Sequence, residues 1–263
     1  MAPQHQYDAV STEEGSEESQ YPIDEKLPRH RSRYASCPTI LQLLPWIIAT
    51  IAVILLVVGT SKPPSDSQCT AKMSVWSPAF EAVEYQDVQF QNRFSEKSPY
   101  RGKPTRELEK AWLDLWNFGP VNIPLDKLSA LNKSSDAGWQ RAKMDRGGGV
   151  VGSLEVFHQL HCLDLIRQYT YREEWDYSSQ PAFDVNANEV AFLQHVDHCI
   201  NSLRIYLQCT ADVTPYLILK DERRPLGIDP DFCTRHKCRN FEKIQRWARD
   251  HELNTDDYQN DLS

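Results

Sequence analysis

One pattern of metal-ligating residue types occurs twice in this sequence. The pattern is His-x-x-His-Cys, and its two copies occupy residues 158–162 and 195–199. On a helix, positions i, i+3 and i+4 lie on one face, so each copy is predicted to project two imidazoles and a thiol from one stripe. Imidazole suits copper, zinc and iron, and thiolate favours zinc or copper(I). Two such helices packed face to face would offer ligands for one or two transition-metal ions, which indicates a metalloenzyme.

The two blocks supply the candidate site, but alternatives stay open for them. The histidines could be structural hydrogen-bonding residues, or the set could be a closed structural zinc site. In an oxidising compartment Cys162 and Cys199 could form a disulfide with each other. Asp164 is predicted to orient a ligand imidazole from outside the ligand set, whereas Asp197 is expected on a solvated acidic face. The predicted metal ligands are His158, His161, Cys162, His195, His198 and Cys199, and the four histidines are also the candidate catalytic residues.

Two long helices are expected to carry these blocks. Ser153 is predicted to cap a helix that runs to about Arg172, and Asn186 with Glu189 resembles a capping box for a second helix that ends near Cys209. The connector is long enough for the two helices to pack antiparallel. The predicted fold is therefore mostly α, with two antiparallel motif helices at its centre.

Other elements are expected to surround the motif helices. Apolar residues at helical spacing predict helices over 105–116 and 240–250, and a short helical turn over 125–131. Short extended pieces are predicted at 82–85 and 88–90. The run 147–149 is Gly-Gly-Gly, which is interpreted as a flexible entry to the first motif helix. The larger aromatic residues are expected to be core rather than a substrate groove, and they include Trp112, Trp116, Trp175, Tyr177 and Tyr206.

The N-terminal part contains one predicted transmembrane helix, because residues 39–60 are apolar and uncharged and about 20 such residues cross a bilayer. A cleaved signal peptide is the alternative, but the stretch begins too far from Met1. Basic residues precede it, while Lys62 alone follows closely, so the positive-inside rule puts the N-terminus in the cytoplasm. The preceding basic residues are Lys26, Arg29, Arg31 and Arg33.

The chain is predicted to be a single-pass type II membrane protein of the secretory pathway. Its expected segments are a disordered cytoplasmic tail (1–38), the transmembrane helix (39–60), a polar stalk (61–74), a lumenal domain (75–251) and a frayed tail (252–263). A net charge of -8 over 263 residues argues against a nucleic-acid partner.

The predicted compartment also bears on cysteines and glycosylation. Asn132 begins the only Asn-x-Ser/Thr sequon and is the predicted glycosylation site. Six cysteines follow the membrane segment, and an oxidising lumen favours disulfides among them. The disulfide candidates are Cys209, Cys233 and Cys238; Cys37 lies on the cytoplasmic flank.

At these residues the sequence resembles the fungal ustYa-type oxidase family, named from ustiloxin biosynthesis. The resemblance runs from about Trp76 to Trp247 and includes both His-x-x-His-Cys blocks, the Ser-Pro-Ala of 77–79 and the Cys-Thr-Ala-Asp of 209–212. One departure is visible, because Asn201 stands where an acidic residue is common in the family. An amide cannot act as a carboxylate base, so a catalytic role there is in doubt.

The resemblance implies a membrane-anchored oxidase of a secondary-metabolite (mycotoxin) cluster, with a lumenal ustYa-like domain. Such relatives oxidatively cyclise or otherwise tailor peptide-derived precursors, and the implied cofactor is copper used with molecular oxygen; zinc and iron stay open. The implied partners are a peptide-derived small molecule, the membrane, and a second copy or a related oxidase. The alternative function is a non-catalytic single-pass membrane scaffold with a structural zinc site.

Overall fold

The computed structural model describes residues 38–61, 63–178 and 189–259. It has two compact units, residues 1–62 and 63–263, which are described separately. The predicted cytoplasmic tail before residue 38, Cys37 and Asn186 lie outside the described residues. In the first unit, helix α1 spans Pro38–Ser61. Its part Gln42–Ser61 is long and apolar enough, by length and composition, to cross a membrane.

The described part of the second unit is mainly helical, as predicted. Its helices are α2 (Asp66–Met73), α3 (Arg106–Trp116), α4 (Glu155–Thr170), α5 (Glu189–Thr210) and α6 (Phe241–His251). Short 3-10 helices occur at Pro78–Ala82, Leu125–Leu131, Met144–Arg146 and Thr255–Asp257. The expected helices over 105–116 and 240–250 are thus confirmed, and the helical turn over 125–131 has 3-10 geometry.

Three two-stranded antiparallel ladders accompany the helices in the described residues. They pair β1 (Tyr85–Gln89) with β6 (Arg235–Arg239), β2 (Val121–Ile123) with β3 (Val150–Gly152), and β4 (Leu217–Lys220) with β5 (Ile228–Asp231). The sequence reading anticipated β1 only approximately and missed the hairpin of β4 and β5. That hairpin leaves Leu217, Ile218 and Leu219 exposed, so no buried face was available to give its strands a clear alternation of apolar and polar residues.

The caps explain where several helices begin. The Thr105 side chain accepts a hydrogen bond from the backbone N–H of Leu108, and Asn240 does the same for Lys243. The prediction that Ser153 caps the first motif helix is wrong. Strand β3, which ends at Gly152, pairs with β2, and the helix begins only after Leu154. Leu154 is therefore at the cap position, and its side chain has no hydrogen-bond acceptor.

Two other segments differ from expectation. The segment 61–74, predicted as a polar stalk, contains α2, which begins with a reciprocal capping box between Ser65 and Gln68. The glycine run 147–149 does not lead flexibly into a helix. Gly147 and Gly148 adopt positive φ (101° and 62°), and Gly149 donates its N–H to Asn122 Oδ1 at 2.8 Å before β3 begins.

The principal core lies where α3 and α6 pack with the α4–α5 pair. Its buried members are Trp116, Phe157, Cys162, Leu165, Phe192, Val196, Cys199, Ile244 and Ala248. The apolar face expected on α5 is only partly buried: Phe192 and Val196 are in the core, whereas Ile200 and Leu207 are exposed. The buried positions of α4 and α5 include both motif cysteines, so the core and the candidate site share side chains.

We expect Gly149→Ala to destabilise the fold. A Cβ at this position would lie 2.2 Å from the backbone oxygen of Ile123, so the β2–β3 pairing would have to shift. Overpacking of this kind costs about 1–3 kcal/mol or more. Gly138→Ala is the matched control, because its Cβ would meet nothing within 4 Å. Denaturant unfolding of both variants measures the difference; equal stability would support the flexible interpretation of residues 147–149.

Candidate metal centre

Helices α4 and α5 bring the two His-x-x-His-Cys blocks face to face. The imidazole of His158 lies opposite that of His198, with ring centroids 5.6 Å apart, and His161 lies opposite His195 at 5.7 Å. The first histidine of each block therefore faces the second histidine of the other. Four side chains from two elements converge in this way although 32 residues of sequence lie between the blocks.

Three donors form a compact group within this cluster. Ring nitrogens of His161 and His195 and the sulfur of Cys199 all lie within 4.8 Å of one another. The two histidines are half-buried and the cysteine is fully buried. Two imidazoles and one thiol are a donor set that fits copper or zinc, with the half-buried side left for another ligand.

The other three predicted ligands lie beside this group. The sulfur of Cys162 is 3.6 Å from His158 Nε2, and Nδ1 of the same imidazole is 3.3 Å from a carboxylate oxygen of Glu155. His198 is exposed, and its Nε2 lies 3.5 Å from the Ser202 hydroxyl. His158 and His198 extend the cluster toward solvent, whereas Cys162 is buried. The six predicted ligands are thus brought together without forming one compact set.

Both motif thiols are buried and free. Cys162 and Cys199 are both free thiols and 0% exposed. Burial raises the pKa of both thiols above the ordinary range for cysteine. Neither is therefore a thiolate at neutral pH by itself, and Cys199 would lose its proton only as a metal ion binds.

The surroundings of His161 keep its imidazole neutral. Burial, followed by the neighbouring His195 and His158, lowers its pKa from 6.5 to about 4. A neutral imidazole has a free nitrogen lone pair for a metal ion, so protons compete for this ligand only in acid.

A buried tryptophan connects His161 to the carboxylate of Asp164. The indole of Trp116 packs edge-on against the His161 ring, with centroids 4.8 Å apart and planes at 75°. Its Nε1–H donates to Asp164 Oδ2 at 3.0 Å. The prediction for Asp164 is thus modified: its carboxylate contacts Trp116, Arg167 and Gln168, so it reaches the imidazole through the indole.

An ion-pair network fixes this carboxylate in turn. Arg167 donates to Asp164 at 2.9 Å and to Glu109 at 2.8 Å, while its guanidinium lies 5.3 Å from the Trp112 ring. Burial raises the pKa of the Asp164 carboxyl, which the Trp116 and Arg167 contacts oppose. Burial likewise raises the pKa of Tyr177, a neighbour of Glu109, to about 12. Of the five aromatic residues expected in the core, those at 112, 116 and 177 are buried, Trp175 is partly buried, and Tyr206 is exposed on α5, contrary to the expectation.

The remaining predicted sites lie away from the cluster. Asn132 is exposed and ends a 3-10 helix with a positive φ of 54°, so its side chain is accessible. Cys209 is exposed at the end of α5, and Cys233 and Cys238 are half-buried; all three are free thiols. The disulfide expected among them is not formed in this structure and stays a prediction. Asp197 is exposed, as expected.

Sequence reasoning missed Glu109 and Arg167 and assigned Trp116 only to the core. The only signal was the placement of Glu109, Trp112 and Trp116 at spacings of three and four on one predicted helix. An acidic residue on the same buried face as two indoles needs a basic partner from elsewhere in the chain. The sequence does not show which basic residue that partner is.

Comparisons with known proteins identify the family of this chain. The family model described as "Mycotoxin biosynthesis protein UstYa" matches residues 25–251. The chain belongs to the UstYa family. The UstYa family oxidase phomYc of Diaporthe leptostromiformis is 37% identical over 233 residues, which cover 88% of this chain and 89% of that relative. The oxidase phomYc' of the same fungus is 35% identical, with 88% and 82% covered.

One relative is named for a different activity, acyl transfer. The transacylase cctO of Talaromyces islandicus is 32% identical over 191 residues, covering 71% of this chain and 63% of that protein. No solved structure matches the chain. Membership of the UstYa family is therefore established by sequence, and the metal centre must be argued from the arrangement of this chain's own side chains.

The lowered pKa of His161 predicts a pH-dependent stability of the metal-free protein. An unfolded histidine binds its proton near pH 6.5, whereas folded His161 does so only near pH 4. As the pH falls through this window the unfolded state takes up more protons, so stability should fall. His161→Asn should weaken that dependence, and Gln194→Asn, which removes no ionisable group, should preserve it. Denaturant unfolding in chelator at several pH values measures the slope; equal slopes in all three proteins would contradict the assignment.

Proposed function

We propose that this chain is a membrane-anchored, metal-dependent oxidase of a fungal secondary-metabolite (mycotoxin) cluster. It would carry out oxidative cyclisation or related oxidative tailoring of a peptide-derived precursor. The observation that carries the proposal is the compact donor group of His161, His195 and Cys199, in a chain whose relatives phomYc and phomYc' are named oxidases. The peptide-derived substrate rests on the resemblance to family members that modify peptides.

The donor group favours a redox metal over a structural zinc ion. A structural zinc site is closed by four protein ligands, whereas this group has three and is half-open. Imidazole and thiolate both suit copper, and copper is the cofactor we favour. When bound, such a metal supplies one-electron redox and oxygen-binding chemistry.

The chain's own residues have distinct roles in this proposal. His161 and His195 donate neutral imidazole nitrogens, and Cys199 donates sulfur after its proton leaves. Trp116 excludes water from one side of His161 and holds the ring orientation, because its indole is itself held by Asp164. His158 and His198 lie on the more exposed side of the cluster, where a substrate can approach.

The proposal includes the arrangement of the motif helices and of the membrane. The crosswise pairing of His158 with His198 and of His161 with His195 supports antiparallel packing of α4 and α5. The apolar helix Gln42–Ser61, preceded by basic residues, supports a type II topology with the second unit in the lumen of the secretory pathway.

Acyl transfer is the second candidate function, because cctO is named a transacylase. A cysteine acyl-transfer nucleophile must be a thiolate. Burial raises the pKa of Cys162 and Cys199, and the other described thiols lie outside the donor group. The thiols of the site therefore favour metal binding over nucleophilic catalysis.

Replacement of a ligand tests the metal site directly. His161→Ala and His195→Ala each remove one of three donors, so we expect copper affinity to fall at least about 100-fold, beyond the usual effect of changing a residue behind a ligand. Gln194→Ala is the matched control, since it is exposed and next to His195 on α5. Metal content and copper titration of the purified full chain give the answer; wild-type affinity in both histidine variants would sink the shared site.

Metal identity separates the oxidase from the scaffold. Copper that is reduced by ascorbate and reoxidised with oxygen uptake supports the oxidase, and the histidine variants should lose this cycle. A full complement of zinc that no reductant changes, with no oxygen uptake, would establish the structural site instead.

Glycosylation tests the topology. The sequon consists of Asn132, Lys133 and Ser134. In a eukaryotic host, deglycosylation should increase the gel mobility of the wild type, and Asn132→Gln and Ser134→Ala should abolish that shift. Ser135→Ala is the control, because it leaves the sequon intact. In sealed microsomes, protease should digest the N-terminal tail and spare the second unit; the opposite pattern would show an inverted topology.

A further inference from the structure

Helix α5 carries an apolar stripe that the described fold leaves uncovered. Its core side consists of Phe192, Val196 and Cys199, and its site face carries His195 and His198. A separate row of exposed residues repeats at alternate spacings of three and four, which is the spacing of one helix face. Its members are Val190, Leu193, Asp197, Ile200, Arg204 and Leu207, and this set is called the outer stripe.

The outer stripe has the character of a contact surface. Leu193, Ile200 and Leu207 are 38%, 51% and 67% exposed, and Val190 is also 67% exposed. A helix that is apolar on nearly every side is usually buried on nearly every side. Large exposed apolar residues in a row on a single helix indicate a protein or lipid contact.

The two charges in the stripe distinguish these partners. Asp197 and Arg204 are both exposed and flank Ile200 on either side. A lipid surface would have to accept both charges within the apolar row, which is unfavourable. A protein partner with the complementary charges can pair with them instead, so the stripe fits a protein.

The order of the residues is self-complementary. Leu193 and Leu207 are each seven residues from Ile200, which is about 10.5 Å along a helix at about 1.5 Å per residue. Asp197 lies about 4.5 Å on one side of Ile200 and Arg204 about 6 Å on the other. A second α5 could run antiparallel to the first, with the two helices crossing at Ile200. Leu193 of each copy then lies opposite Leu207 of the other. Asp197 of each copy lies within about 1.5 Å of Arg204 of the other, measured along the helix axis.

We propose that the outer stripe of α5 is an interface with a second copy of this chain, related by a two-fold axis at Ile200. Such an interface is isologous, because the same residues occur on both sides in opposite order. Ile200 meets its own copy, and Asp197 of each copy pairs with Arg204 of the other. Arg204 now hydrogen-bonds Asn201 and Gln208 on its own helix, so its guanidinium already lies along the helix surface.

Cross-linking at the two-fold axis tests the proposal in the full chain in membranes. In Ile200→Cys, the new thiol of one copy lies opposite the same thiol of the other copy. A disulfide-linked dimer should therefore form and be visible on a non-reducing gel. Leu163→Cys on α4 is the control, with a comparable 43% exposure of the native leucine, and it should stay monomeric. A dimer in both variants, or in neither while each thiol still reacts with maleimide, would overturn the proposal.

Charge exchange supplies a second test that separates dimerisation from folding. Asp197→Arg and Arg204→Asp each place like charges opposite one another, so co-precipitation of two differently tagged copies should drop by about tenfold or more. The double variant restores opposite charges across the axis and should restore association. Unchanged association in the single variants, or no recovery in the double variant, would show that a different protein, the membrane or another part of the chain covers this stripe.

Discussion

The close approach of α4 and α5 at Cys162 and Cys199 is the constraint on which the rest of the structure depends. Both side chains are small, fully buried and part of the same core cluster, so the two helices can come close at this point. Any larger residue at either position would separate the helices. The facing imidazoles lie 5.6 and 5.7 Å apart beside that approach, since His158 and His195 precede the cysteine of their helix by four residues and His161 and His198 precede it by one.

The same approach sets the electrostatics of the site. Burial lowers the pKa of His161 and raises the pKa of both thiols, so the same environment keeps the imidazole neutral and the two cysteines protonated. Metal binding would therefore be coupled to loss of a proton from sulfur and not from the His161 imidazole. Next to this site, the carboxylates of Asp164 and Glu109 are buried only because Arg167 lies between them, and a buried charge of either sign is tolerated when it is paired. The indole of Trp116 transmits this fixed arrangement to the His161 ring.

Much of this arrangement could be predicted from the sequence, because it depends on helical periodicity. The spacing within residues 158–162 and 195–199 placed each set of donors on one face, and apolar spacing identified α3 and α6. The cap position at Leu154 could not be predicted, since the strand pairing that extends to Gly152 moves it one residue past Ser153. The role of Glu109 and Arg167 could not be predicted either, because their partnership joins α3 to α4 across 58 residues. Periodicity assigns a residue to a face, but it does not identify which face of another element lies opposite.

This limit also explains why the apolar residues of α5 were difficult to interpret. Periodicity put Phe192, Val196, Ile200 and Leu207 together on a single apolar face, although the described fold buries only the first two. Helix α5 must pack on α4 through one side and present His195 and His198 on a second. Its remaining apolar residues then have no role in the core of this chain. The outer stripe is an exposed apolar row that contains one acidic and one basic residue, on opposite sides of its central Ile200. Such a row is typical of a specific protein contact, because a helix face that stays in solvent would carry mostly polar residues. The helix that holds half of the metal site is thus also the element best suited to join two copies of the protein.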